Sequence, residues 1–292
     1  MITEACLIGP TTEEEVDEYL ARYKPSANST EHGPWYWVQL PRGKKDAADS
    51  KPAEERADEH AAFEEEGKAL EKGLVEQCAW IKDNAPVRAN KKQGTKSQKE
   101  LREAEHAKFN DDVAQLAKKH NVLSGKWLFF SSGEFVDLTW AKIVKAIALE
   151  EGPLAKTGAV HCAKVASTPG DGGDQHVICV YCDDSWDKDA VAKVFKTLVT
   201  ELSLVSSAYK ADANTIIGID SKHASGIRSS LYGKTDFMTK DEIDEAFKAK
   251  TKAKEVKKKT LEQEQEAGGE DGFDEASESE DERPRKKGKT AK

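Results

Sequence analysis

The strongest periodic signal in the chain is the apolar series Val136, Trp140, Ile143, Val144 and Ile147. Its spacing of i, i+4, i+7, i+8 and i+11 lines one face of an α-helix. Residues 126–130, KWLFF, come just before it and read as an apolar strand that Gly133-Glu134 breaks. Residues 158–166, GAVHCAKVA, alternate. Ala159, His161, Ala163 and Val165 point to one side, and Val160, Cys162 and Lys164 to the other. Residues 176–182, HVICVYC, are apolar on both faces, which predicts a central strand. Residues 167–174, STPGDGGD, carry turn chemistry throughout, so these two strands form an antiparallel hairpin. A second amphipathic helix follows, with Val191, Val194, Phe195, Leu198 and Leu202 on one face and Asp184 or Ser185 as its cap. Tyr209-Lys210 and residues 216–219 are expected as a final extended segment interrupted by Asp212 and Asn214. Residues 226–232 close the domain.

Upstream, Thr12 to Glu15 has capping-box spacing. The helix it opens carries Val16, Tyr19, Leu20 and Tyr23 on one face and stops before Pro25. Residues 35–40, WYWVQL, read as a strand. Tyr36, Val38 and Leu40 share one side of it, and Trp35, Trp37 and Gln39 the other. Two tryptophans on one strand face can stack a planar ligand, although packing on a neighbouring element is the commoner use of such a pair. Residues 50–81 are Ala/Glu/Lys-rich, with Phe63, Leu70, Leu74, Cys78 and Ile81 near helical spacing. A basic loop over residues 84–96 leads to Ser97, which opens a further helix running to about His120. The pair predicts an antiparallel helical hairpin with thin apolar stripes, its charges read as a solvated face.

The expected organisation is therefore an N-terminal helix and first strand (1–49), a helical hairpin insertion (50–121), a core domain (122–240), and a charged helix with a disordered tail (241–292). The order strand, helix, hairpin, helix, strand gives an α+β fold: a curved antiparallel sheet with helices packed on the convex face. The concave face is then open. Ala159, Ala163 and Val165 suit packing beneath helices, so Lys164 is expected on the open face and His161 opposite it.

Composition adds limits. Hydrophobic residues are 37% and charged residues 34% of the 292, with net charge -9. That balance fits one globular core with solvated helices and tails. No run approaches the roughly 18 apolar residues a bilayer span needs. The N-terminus has no basic n-region and is not read as a signal peptide. Five scattered cysteines read as reduced thiols. Together these predict a cytoplasmic and/or nuclear protein with no membrane partner, and a monomer.

Catalytic signatures are absent. Cys179 and Cys182 have C-x-x-C spacing, but residues three apart on a strand face opposite ways and cannot share a metal or close a disulfide. The seven histidines show no metal spacing, and residues 170–173 form a hairpin turn, not a phosphate-binding loop. No acid/base pair can be placed. An enzyme, a cofactor and a metal are not expected. Residues 121–240 hold 13 Lys/Arg against 14 Asp/Glu, so there is no basic field of the kind nonspecific duplex binders use.

Several stretches carry a resemblance. They are Ser124-Gly125-Lys126-Trp127-Leu128, Ala163-Lys164-Val165, Ile178-Cys179-Val180-Tyr181, Tyr209-Lys210-Ala211-Asp212, Gly218-Ile219 and residues 226–232. In this order they resemble the basophilic leukaemia-expressed protein (Bles-type) family of unknown function. That family is similar in fold to the cap-binding translation initiation factor 4E. The resemblance implies a phosphate-holding cation at Lys164 and a basic residue beside the same groove at Lys126. The factor's second cap-sandwiching Trp, with its adjacent Glu, has no counterpart in residues 114–123, so cap recognition is not implied. The factor's partner-docking helix is replaced by the helical hairpin.

The function expected from sequence is a non-enzymatic binding module for a phosphate-bearing ligand: a nucleotide, an RNA end or a short single-stranded RNA. Lys126, Lys164, Lys210, Arg228, Tyr232, Trp35 and Trp37 are the expected ligand-binding residues. The alternative is a protein-interaction scaffold acting through the hairpin and tail. In the acidic tail, Ser277 and Ser279 each precede a Glu by three positions, as acidophilic kinases require. Arg285-Lys286-Lys287 resembles a nuclear-localisation cluster.

Overall fold

A computed structural model describes residues 5–41, 53–90, 92, 94–170 and 173–252. The tail sites Ser277, Ser279 and Arg285-Lys286-Lys287 lie outside the described residues. The strands are β1 (Ala5–Ile8), β2 (Trp35–Gln39), β3 (Gly125–Ser132), β4 (Val160–Ala166), β5 (Gln175–Cys182) and β6 (Ala208–Ala211). The helices are α1 (Glu13–Arg22), α2 (Ala53–Asn84), α3 (Gln98–Lys119), α4 (Val136–Ala148), α5 (Lys188–Thr200), the single turn α6 (Asp212–Ile216) and α7 (residues 240–252). Among the described residues no helix is long and apolar enough to cross a membrane.

The six strands form one curved, unclosed sheet in the order β1-β2-β4-β5-β3-β6, with helices on its convex face. All pairings are antiparallel except β1 with β2, which is parallel. Sequence reading missed β1, because four residues, ACLI, are too few to display a period. The convex-side core joins Tyr36 and Val38 of β2, Trp127 and Phe129 of β3, Ala163 and Val165 of β4, and Ile178 and Val180 of β5 to the apolar stripes of α1, α4 and α5. Met238 and Ile243 also belong to it, so the main core extends past the segment expected to close the domain. Compact packing groups Met1–Lys248 into one unit; of the second, from Ala249, only residues 249–252 are described, and they are helical.

The starts of α1, α3 and α5 follow side-chain chemistry. Thr12 caps α1 with Glu15, and Ser97 caps α3 with Glu100, both as reciprocal capping boxes. α5 is capped by Asp187, whose carboxylate accepts the Ala190 N–H at 3.0 Å. The expected caps are used otherwise: Asp184 accepts from the Trp186 N–H, and Ser185 is fully buried beside Tyr209. The segment after β6 is a helical turn and not a strand. Asp212 and Asn214, read as interruptions, lie within it.

The hairpin of α2 and α3 packs at the β6 end of the sheet. Phe63, Leu74, Cys78, Phe109, Val113 and Leu116 form a second core with Ala211, Ala213, Ile217, Ile219 and Ile227. Gly67 of α2 faces Ile217 closely. A Cβ there would lie 2.2 Å from the Ile217 methyl Cγ2, and a β-branched isoleucine has little room to yield. Gly67→Val is therefore expected to cost about 1–3 kcal/mol through overpacking. Gly73, on the same helix, has nothing within 4 Å of an added Cβ. Gly73→Ala should instead gain about 1 kcal/mol of helix propensity. Urea denaturation of the two variants checks both signs.

Candidate ligand-binding face

The alternation that buries Tyr36, Val38, Trp127, Ala163 and Val165 sends their neighbours to the open side of the sheet. The strand registers align these neighbours in rows. Trp37 of β2 lies opposite Lys164 of β4, which lies opposite Cys179 of β5. In the next row Cys162 faces Tyr181, Tyr181 faces Lys126, and Lys126 faces Lys210 of β6. All of these side chains except the buried Cys162 and Cys179 are partly exposed.

Lys164 is the centre of this arrangement. Its Nζ stands 3.9 Å from the Trp35 ring centroid, 4.9 Å from Trp37 and 5.9 Å from Tyr181. Trp37 and Tyr181 are themselves stacked, with centroids 6.4 Å apart and planes 20° from parallel. The ammonium thus lies within cation–π range of three rings. Among the described residues it has no ion-pair partner. Lys126 differs: its ammonium pairs with Asp212, and both side chains are less than a fifth exposed. Ser124 donates to the other oxygen of Asp212 at 2.6 Å. The charge of Lys126 is therefore compensated within the fold. Burial, followed by the neighbouring charge of Lys126, draws the Lys210 pKa below the usual lysine value.

The structure brings together five of the seven expected residues: Trp35, Trp37, Lys126, Lys164 and Lys210. The other two are elsewhere. Tyr232 packs against Tyr209 and Phe237 at the margin of the convex-side core, at centroid distances of 5.7 and 5.2 Å. Arg228 bonds Ser230 at 2.6 Å and lies 3.9 Å from Asp236, in the same closing segment. Both follow β6 in sequence, but that segment turns over the helix side.

His161 corrects an expectation. Strict alternation sends it under the helices, opposite Lys164. A register shift between Val160 and Cys162 interrupts the alternation, as a bulge does. His161 instead sits with its ring 5.9 Å from Tyr181 and its Nδ1 2.7 Å from the Asp183 carboxylate. No residue in GAVHCAKVA marks a bulge, so the shift was not readable beforehand. Tyr181 was also passed over; its position in an all-apolar strand concealed that it faces the open side.

The cysteine pair divides as strand geometry requires. Cys182 is in the convex-side core and Cys179 lies under the open face. Burial pushes the Cys179 thiol up to about 11 despite Lys126 and Lys164 nearby, so it is a thiol at neutral pH and a poor nucleophile. Among the described residues no His/Cys/Asp/Glu group could hold a metal ion. The Nε1 of Trp37 is buried without a hydrogen-bond partner among the described residues, but so are those of Trp127 and Trp140 in the core. An orphan indole N–H does not by itself mark a ligand position here.

A second constellation lies under the hairpin. Glu71 meets His223 Nε2 at 2.8 Å, and His223 Nδ1 meets Ser225 Oγ at 2.9 Å. The sequence of contacts resembles an acid–base–nucleophile relay. Ser225, however, is only 4% exposed, and its Oγ accepts the Ile227 N–H at 3.2 Å. His106 Nε2 meets the Ser225 carbonyl at 3.1 Å, and burial lowers the His106 pKa. The group secures the turn to α2 and α3.

Residues 6–218 match the family described as basophilic leukemia-expressed protein Bles03. The match covers most of the chain, and the chain belongs to that family.

Proposed function

We propose that this member of the Bles03 family is a non-catalytic binding module whose open sheet face takes a phosphate-bearing ligand with a planar base: a nucleotide, an RNA end or a short single strand. One observation carries the reading. An ammonium without an ion-pair partner among the described residues, Lys164, is held against two partly exposed indoles on neighbouring, hydrogen-bonded strands. Phosphate recognition favours a cation on a rigid surface. Base recognition without sequence readout favours an aromatic face. Both occur here within one side-chain length. The resemblance to the cap-binding factor supports the same position for the phosphate. Lys210 adds positive charge in the adjacent row, while Lys126, already compensated by Asp212, would orient more than attract.

Titration of the full chain with guanosine triphosphate, its 7-methyl analogue and a 5′-triphosphorylated RNA tests the reading. Saturable binding is expected, with no preference for the methylated base because the second Trp-Glu pair is missing. If none of the three binds, the open-face reading fails and the alternative, a protein-interaction scaffold acting through the hairpin and tail, takes its place.

A further inference from the structure

We propose that the tip of the helical hairpin is a separate contact for single-stranded nucleic acid, gripping its phosphates and stacking one base. The charge distribution is the first observation. Residues 82–102 hold seven Lys/Arg and two Asp/Glu, in a chain whose net charge is -9. Of these cations Lys82, Arg88, Lys92, Lys96 and Arg102 are exposed, and none forms an ion pair among the described residues. Lys68, Lys72, Lys99 and Lys119, by contrast, each lie beside a glutamate. A positive field therefore survives at the tip.

The second observation is an aromatic ring. Trp80, one turn before the end of α2, is 56% exposed. A tryptophan used only for packing would bury more of its surface. The third is order. Asn90 and Thr95 exchange backbone hydrogen bonds at 2.9 and 3.1 Å. The Gln98 side chain donates to the carbonyls of Lys82 and Ala85, and the Ser97–Glu100 capping box fixes the start of α3. Arg88, Lys92 and Lys96 are thus carried beside the Asn90–Thr95 bridge, between two helix ends that are hydrogen-bonded in place.

Exposed cations and an exposed indole at the same end of the hairpin suit a flexible polyanion with accessible base faces. A duplex hides its bases and calls for a broader basic field. An acidic protein surface would satisfy the charges but leave Trp80 without a stacking partner. This inference rests on the hairpin alone and stands apart from the open-face reading.

Fluorescence anisotropy of the full chain with labelled 12-nucleotide single-stranded RNA and DNA, over a salt series, tests it. The triple variant Arg88→Glu, Lys92→Glu, Lys96→Glu is expected to lose at least tenfold in affinity at low salt. Its log K against log salt should flatten by about 2, because three phosphate contacts release roughly 0.7 counterions each on a single strand. Trp80→Ala is expected to weaken binding roughly tenfold with little change in slope. Melting temperatures should stay near wild type, since all four side chains are exposed. Nucleoside triphosphate binding should be unaffected by these variants and lost in Lys164→Glu, so failure of one site is distinguishable from failure of the other. Oligonucleotide binding unchanged in the triple variant would overturn the proposal. So would preferential capture of a polyglutamate peptide, which assigns the tip to an acidic protein surface.

Discussion

Lys164→Glu is expected to abolish nucleotide and RNA-end binding at the open face, and Lys164→Ala to weaken it roughly tenfold to hundredfold. A charge-assisted hydrogen bond contributes about 1.5–3 kcal/mol, which converts to that range at about 1.4 kcal/mol per decade. The glutamate adds repulsion to the loss of attraction. Little stability should change with either substitution. Lys164 is partly exposed, and its contacts with Trp35 and Trp37 are worth about 0.5–1 kcal/mol at such a site. Isothermal titration with a nucleoside triphosphate reads the affinity, and a thermal melt checks the fold. Wild-type affinity in Lys164→Glu would remove this residue from the site and with it the central argument for the face.

Trp127→Ala is expected to lower stability by about 3–5 kcal/mol, the range for deleting a buried large aromatic. Trp127 is fully buried. Its ring lies 4.8 Å from Phe195, 5.1 Å from Tyr209 and 5.8 Å from Phe237, so removal opens a cavity where β3, α5 and the closing segment meet. At about 2–4 °C per kcal/mol for a domain of this size, the melting temperature should fall by roughly 6–20 °C. Trp127→Phe should cost much less. It keeps a ring in the cluster and removes an Nε1 that is buried without a partner among the described residues, and losing an unpaired polar group is not itself destabilising. Trp35→Ala, on the open face, should change stability by less than about 1 kcal/mol while weakening the ligand. Equal melting shifts for Trp127→Ala and Trp35→Ala would contradict the assignment of the two faces.

These two residues show how far pattern alone reaches. Trp127 sits in the uniformly apolar KWLFF, and only the assembled sheet assigned it to the core. Lys164 sits in the alternating segment 158–166, whose small and branched residues Ala163 and Val165 mark the packed side, so its open face was legible. The stripes of α4 and α5, the capping box at Thr12, the helix start at Ser97 and the β4–β5 hairpin were legible for the same kind of reason, since each depends on residues within a few positions of one another. β1 is too short to show a period, and it is a strand because β2 offers it an edge.

Tertiary packing decided the rest. The bulge at His161 is a mismatch between two strands, so neither strand records it alone. Asp212 neutralises Lys126 across 86 positions of chain, and no local rule anticipates that a lysine read as a phosphate ligand is already paired. Tyr232 and Arg228 were grouped with the lysines because they follow them in order, yet the chain turns and packs Tyr232 on Phe237. Outside the bulge at His161, local chemistry set which way the strand side chains point. Only the assembly of the strands into one sheet, which brings distant charges and rings within a few ångströms, set what each one meets.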